Sequence, residues 1–216
     1  MFAPIVPALS TRQNNRDHRK IVVIDGRVAF TGGVNLADEY INQKERFGHW
    51  KDTAIMIEGE AVRSFTIMFL EMWSVDKNLK NTPMELFEKY LDIIPDKESE
   101  PGDGFVMPYG DSPLDNETVG EQVYMDILYT ARDYVHIMTP YLILSNEMIT
   151  ALTYAAKRGV DVKIIMPHIP DKWYAFVLAK TYYNELLDAG VKIYEYTPGF
   201  VHAKVFTSDD EKAVVG

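Results

Sequence analysis

The chain has 216 residues, enough to bury a core without disulfide help, and its 47% apolar and 25% charged residues are those of a globular protein rather than a disordered one. It has no cysteine, which excludes a disulfide scaffold, a cysteine nucleophile and any thiolate metal site. With 32 acids against 22 bases the net charge is −10, so nucleic acid is not an expected partner, and any phosphate chemistry has to come from a few locally placed cations.

Little periodicity marks residues 1–16, and a start with Pro4 and Pro7 and no basic stretch is unlike a signal peptide. Ile21-Val22-Val23-Ile24 then reads as a buried strand by its β-branching. Asp25-Gly26 is a hairpin signal, and Val28-Ala29-Phe30 is the returning strand, stopped by Gly32-Gly33. Residues 54–57 form another strand. Residues 61–74 are a helix with Val62, Phe65, Phe69, Met72 and Trp73 on one stripe, which we assign to domain packing. Residues 95–118 break the composition with Pro95, Pro101, Gly102, Gly104, Pro108, Gly110 and Pro113 among acids, with a short strand expected at Phe105-Val106-Met107. Helices at 121–132, 146–157 and 174–187 then alternate with strands at 134–138, 160–166 and 191–196. Ser145 or Asn146 caps the second of these helices, and Gly159 ends it. The alternation predicts βαβ units in a largely parallel sheet. A further strand follows at 203–207, and residues 214–216 read as the start of one more. The expectation is an excised piece of a longer protein. No run approaches the ~18–20 apolar residues that cross a bilayer.

Two of the five histidines share a context. His18-Arg19-Lys20-Ile21-Val22-Val23-Ile24-Asp25 is H-x-K-x4-D, and His202-Ala203-Lys204-Val205-Phe206-Thr207-Ser208-Asp209 repeats it. Each sits at a strand start with a turn at or just after the aspartate. Positions i and i+2 of a strand share a face, so His18 projects with Lys20 and His202 with Lys204. An ammonium beside an imidazole is a seat for a phosphoryl oxygen. The cation offsets developing charge while the imidazole acts as nucleophile or proton donor. Two such imidazoles suffice for double displacement through a phosphohistidine, and the scheme calls for no metal or cofactor.

The pair of motifs resembles the phospholipase D superfamily. Further runs are similar to its bacterial cardiolipin synthase branch: 15–26 (NRDHRKIVVIDG), 30–40 (FTGGVNLADEY), Trp50-Lys51-Asp52, Thr139-Pro140-Tyr141, 158–162 (RGVDV), Tyr194-Glu195-Tyr196 and 199–204 (GFVHAK). The resemblance implies an α/β fold of two mixed-sheet domains related by a pseudo-twofold, both incomplete here. Residues 1–100 are expected as the C-terminal part of the first and 101–216 as the N-terminal part of the second, with the active site at their interface. It implies phosphatidyl transfer between two phosphatidylglycerols, giving cardiolipin and glycerol. The partners are then glycerophospholipid headgroups and a bacterial cytoplasmic membrane, reached through N-terminal segments this chain lacks. The fragment itself is expected to be soluble and to homodimerise through unpaired sheet edges. The alternatives are a phospholipase D or other phosphodiesterase on the same scaffold, and an inactive fragment that binds headgroups.

The implied catalytic set is His18, Lys20, Asp25, His202, Lys204 and Asp209, with the two aspartates as orienting turn residues. Asn35 is expected to face the phosphate. Asp52 is a candidate to orient a catalytic imidazole. His168 and Tyr141 follow strand carboxyl ends, where open α/β sheets place ligands, and are candidate substrate contacts. His49 reads as a loop residue and His136 as a satisfied, half-buried one. Trp173, Tyr174 and Phe176 open a helix as acyl-chain contacts or as a core staple.

Overall fold

The computed structural model describes residues 17–74, 85–93, 104–112 and 117–216. Residues 1–16 and most of the expected boundary, 94–103 and 113–116, lie outside these. The chain divides into two compact units, Met1–Thr31 with Ile55–Glu117, and Gly32–Ala54 with Thr118–Gly216. The segment 32–54 thus belongs with the C-terminal half of the chain.

In the first unit β1 (Ile21–Ile24) and β2 (Val28–Gly32) form an antiparallel hairpin, and β4 (Ala54–Glu58) completes a sheet of order β1-β2-β4. Helix α1 (Ala61–Ser74) covers it, and a short α2 (Glu85–Leu91) follows. Ala29, Ile57, Val62 and Phe65 are the buried centre, with Ile21, Val23, Ile55 and Ala61 packed against it. Three expectations are corrected here. Among the described residues β1 packs through one face, with Ile21 and Val23 against the core, and Val22 and Ile24 are half exposed. The helical stripe is buried only in its first half. Phe69 and Trp73 are exposed and stack on each other at 5.7 Å. Phe105-Val106-Met107 is no strand either. It is exposed, lies between Gly104 and Pro108, and pairs with no strand among the described residues.

The second unit is built on a five-stranded sheet of order β10-β9-β5-β6-β7. Strands β5 (Tyr134–Met138), β6 (Asp161–Pro167) and β7 (Lys192–Tyr196) are parallel, and α4 (Asn146–Lys157) and α5 (Trp173–Asp188) connect them. Helix α3 (Val119–Thr130) precedes them, two residues earlier than the sequence suggests. Ser145 caps α4 by accepting from the Met148 N–H at 3.1 Å. Strands β9 (Val205–Ser208) and β10 (Lys212–Val215) are antiparallel to their neighbours, so the sheet is mixed rather than largely parallel. The β9–β10 hairpin reverses the chain directly, whereas the helical crossovers through α4 and α5 keep β5, β6 and β7 parallel. Leu128, Val135, Leu152, Val162, Ile164, Met166 and Leu186 form the core between sheet and helices.

The structure adds a small parallel pair that the sequence reading missed, β3 (His49–Lys51) with β8 (Gly199–Val201), and this pair puts His49 on a strand rather than in a loop. A Cβ at Gly199 would lie 2.5 Å from the His49 nitrogen and 2.6 Å from the Phe47 carbonyl oxygen, so only glycine admits this approach.

Candidate active site

Each H-x-K-x4-D motif turns out to be the same local device. The His-x-Lys segment is extended and leads into a four-residue strand, so x4 is the strand itself and the aspartate opens the turn. Both hairpins close with three residues between the paired ends, Ile24↔Val28 and Ser208↔Lys212. Arg27 donates to the Ile24 carbonyl and Glu211 to that of Ser208, each at 3.0 Å. Asp25 and Gly26 take the left-handed conformation in one turn (φ +52° and +66°), Asp209 and Asp210 in the other (+56° and +57°). Aspartate tolerates that region better than most residues, because its short side chain bonds the local backbone. The histidines therefore sit just before their strands rather than on them.

Within each motif the lysine folds back on its own histidine. Lys20 Nζ lies 2.9 and 3.1 Å from the two ring nitrogens of His18 and donates to the His18 carbonyl at 2.7 Å. Lys204 Nζ lies 3.0 Å from each ring nitrogen of His202 and also donates to the His202 carbonyl. Ammonium and imidazole thus share one side of the extended segment, as the i, i+2 spacing predicts.

In the second unit the surroundings of His202 are elaborate. The β3–β8 pair carries Lys51 beside Val201, and the Lys51 carbonyl accepts from both the His202 and Ala203 N–H, at 2.8 and 3.2 Å. The residue after Lys51 is Asp52, whose Oδ2 lies 2.9 Å from His202 Nδ1. The two side chains are 3% and 10% exposed. The other carboxylate oxygen accepts from the Thr53 N–H at 2.8 Å. Burial opposes ionisation of Asp52, but the bonds from His202 and Thr53, with the His202 and Lys204 charges, outweigh it and hold the carboxyl below its usual range. A carboxylate on Nδ1 fixes the tautomer that leaves Nε2 for chemistry. Gly33 permits the approach, since a Cβ there would lie 2.2 Å from Asp52 Oδ1 and 3.0 Å from the His202 carbonyl oxygen.

Aromatic rings box the imidazole. Tyr40 meets it edge-on at 5.3 Å, with Trp50 at 5.5 Å and Phe200 at 5.9 Å. Asn35 donates to the Tyr40 hydroxyl, so it reaches the neighbourhood of His202 through that ring. Asn42 clasps the Trp50 backbone, accepting its N–H at 2.7 Å and donating to its carbonyl at 3.0 Å. Sequence reasoning singled out Asn35 and Asp52 but missed Tyr40, Asn42 and Phe200, which no local pattern marks. Asn42 sits at φ +58° after the short 3-10 helix Asp38–Ile41, the one hint available.

The remaining candidates have other surroundings. His18 is exposed, between Asp17 and Arg19, which pair at 2.9 Å. Asp209 turns its carboxylate to the backbone, accepting from the Arg132, Asp133 and Tyr134 N–H at 2.9, 3.0 and 2.9 Å. Burial opposes its ionisation, but those three donors prevail and hold it below the usual range. His168 is exposed and pairs with Glu195 at 2.8 Å. Tyr141 donates to Asp171 at 2.8 Å, and burial together with that carboxylate pushes its phenol upward. His136 lies 3.3 Å from Asp161, and His49 Nδ1 lies 2.9 Å from the Tyr196 hydroxyl. Among the described residues no group of three or more His, Asp and Glu is placed to hold a metal ion.

Residues 124–216 match the family model described as "Cardiolipin synthase, PLD-like domain". An uncharacterised protein of Streptococcus mutans is 64% identical over the whole chain, which covers 45% of that protein. The cardiolipin synthase of Geobacillus thermodenitrificans is 40% identical, with 100% of this chain and 42% of the relative aligned. "Cardiolipin synthase 2" of Bacillus anthracis is 39% identical, with 100% and 41% aligned. The chain thus spans less than half the length of these curated relatives. In fold it is similar to the crystal structure of phosphatidylserine synthase from Haemophilus influenzae, with a TM-score of 0.54 at 17% identity over 89% of this chain and 52% of that one. With a phospholipase D-like domain matched over residues 124–216 and alignments that run from end to end of the chain, the chain is similar throughout to cardiolipin synthases.

Proposed function

We propose that this chain is a segment of a phosphatidyltransferase that joins two phosphatidylglycerols into cardiolipin and glycerol. The observation that carries the reading is His202, preset by Asp52 on Nδ1 at 2.9 Å with Lys204 Nζ 3.0 Å from its ring nitrogens. The scheme needs one imidazole as nucleophile and one as acid and base, and His18 and His202 are the candidates. One Nε2 attacks the phosphorus of the first phosphatidylglycerol. The P–O bond to its headgroup glycerol breaks, and that glycerol leaves with a proton from the other imidazole. The same imidazole, now neutral, takes the proton of a headgroup hydroxyl on the second phosphatidylglycerol. That oxygen attacks the phosphatidyl-histidine, the P–N bond breaks, and cardiolipin is released with both imidazoles restored. Lys20 and Lys204 meet the charge on the phosphoryl oxygens, and Asn35 supports the site as a polar neighbour.

On this reading residues 1–100 are part of one phospholipase D-like domain and 101–216 part of a second, and further segments of the full-length protein bring it to a bacterial membrane. Among the described residues no helix is long and apolar enough to cross one. The isolated chain should self-associate through the edge strands β10 and β7, which light scattering at several concentrations tests.

The decisive experiment is product analysis of the full-length protein on phosphatidylglycerol. One glycerol per cardiolipin is expected. Phosphatidic acid as the sole product would replace the reading with a hydrolase, and headgroup binding without turnover would replace it with a binding module.

A further inference from the structure

The exposed side chains of the second unit are unevenly distributed. Helix α5 starts with Trp173, Tyr174, Val177 and Leu178 on one open face, at 74%, 58%, 54% and 40% exposure. Spacings of one, four and five residues place these on a single stripe. The opposite side of the same turns is core, with Ala175 and Ala179 buried. Ile169, in the loop before the helix, is also exposed, and so is Ile143, in the loop after β5. An open apolar helix face of this kind, with further exposed isoleucines in the loops at the same end of the sheet, marks an interaction surface.

Charge distinguishes the patch from the rest of the molecule. The chain carries −10 overall, yet from Lys172 to Asn184 it has no acid and two exposed lysines, Lys172 and Lys180. Lys180 Nζ lies 4.3 Å over the Phe176 ring, so the cation sits beside the apolar face. The nearest preceding acid, Asp171, is engaged by the Tyr141 hydroxyl at 2.8 Å. Tryptophan, tyrosine and aliphatic side chains bordered by lysine suit the boundary between headgroups and acyl chains of an anionic bilayer. A protein partner of this acidic chain would gain nothing from that arrangement in particular.

The position fits as well. The patch lies past the carboxyl ends of β5 and β6, the end of the sheet that carries Tyr141. The Ile169 N–H is 3.3 Å from the Gly199 carbonyl oxygen, on the strand that runs directly into His202. We propose that the open face of Trp173, Tyr174, Val177 and Leu178, with Lys172 and Lys180, is a docking surface for an anionic phospholipid bilayer. There it holds the His202 end of this unit at the headgroup level, where a membrane-resident substrate presents its phosphate. The proposal rests on the phosphatidyltransferase reading, since only a bilayer substrate gives such a surface a use.

The test compares one substrate in two physical states, using the full-length protein. Trp173→Ser with Leu178→Ser, and separately Lys172→Glu with Lys180→Glu, are assayed on phosphatidylglycerol vesicles and on monomeric short-chain phosphatidylglycerol. The expected result is an apparent KM on vesicles raised about tenfold or more, with turnover of the monomeric lipid within about twofold. A fluorophore on a cysteine placed at residue 177 should be quenched by lipids brominated in the upper acyl chain. Equal losses on both substrates would overturn the proposal and assign the patch to packing or catalysis. Unchanged vesicle kinetics would overturn it too, as would a label shielded from lipid by another part of the protein. A wild type inactive on both substrates would instead overturn the phosphatidyltransferase reading, so the two failures are distinguishable.

Discussion

The two H-x-K-x4-D motifs share one backbone device and differ in what surrounds it. Both fold the lysine onto its own histidine, run a four-residue strand and open a left-handed turn at the aspartate. But β1 is an edge strand of a three-stranded sheet, whereas β9 is paired on both sides. His18 is exposed, while His202 is 8% exposed, boxed by rings and held by Asp52. Asp209 binds three backbone N–H groups of a neighbouring segment. The spacing of such a motif therefore encodes a hairpin and a His–Lys pair. Which imidazole is oriented in advance depends on residues far away in the chain.

The comparison can be broken most directly at the histidines. In the full-length protein His18→Ala and His202→Ala should each lower glycerol release from phosphatidylglycerol by about 1,000-fold or more, with the double variant no worse than either, because the two act as a unit. A His18→Ala protein with near wild-type rates would make the first motif structural and the likeness between the motifs one of fold alone.

Asp52→Asn sharpens the difference, since it keeps the shape and removes the charge on Nδ1. A fall in turnover on the order of 100-fold, with a shifted pH–rate profile, is expected for loss of an oriented general acid–base. A rate within twofold of wild type would reduce Asp52 to packing.

Gly33→Ala probes the same contact sterically. Its Cβ would lie 2.2 Å from Asp52 Oδ1, so the carboxylate has to move. About 1–3 kcal/mol of stability should be lost in urea melts, and turnover should fall as it does for Asp52→Asn. A stable and fully active variant would mean that the Asp52–His202 contact is dispensable.

The smallest effect separates the two aspartates. Asp209→Ala removes the acceptor for three N–H groups and should cost about 1 kcal/mol after solvent screening, while Asp25→Asn, tolerated in the left-handed turn, should stay within about 0.5 kcal/mol. Asp52 and Asp209 both have folded values below the reference of 3.8. Their stabilisation is therefore present above about pH 4 and lost as pH falls through the lowered folded values. Melts of Asp209→Ala should accordingly show a shallower loss of stability than wild type in that acid range. Identical acid slopes would leave the two turns equivalent.

Much of this was legible along the chain. The hairpin at Asp25-Gly26, the helix at 61–74 and the alternation from 121 onward follow from β-branching, glycine punctuation and helical periodicity, all set by neighbours in sequence. The same repetition that marks His18 with Lys20 and His202 with Lys204 as candidate pairs also places each pair on one side of an extended segment, because side-chain direction has a period of two. The burial of Phe69 and Trp73 was overestimated because periodicity reports a stripe but not how much of it a partner covers.

Other features had no local signature. His49–Lys51 and Gly199–Val201 are three residues each, too short for a pattern, and become strands only by pairing with each other. That parallel register carries the Lys51 carbonyl to His202 and brings Asp52, 150 positions away in sequence, onto its ring. The sequence by itself determined two hairpins, each led by a histidine and a lysine on one side, because local backbone preference and strand periodicity act over a few residues. Only the tertiary structure decided that one of those histidines is buried and oriented by a carboxylate, because a contact between distant segments depends on chain closure and packing that no short stretch contains.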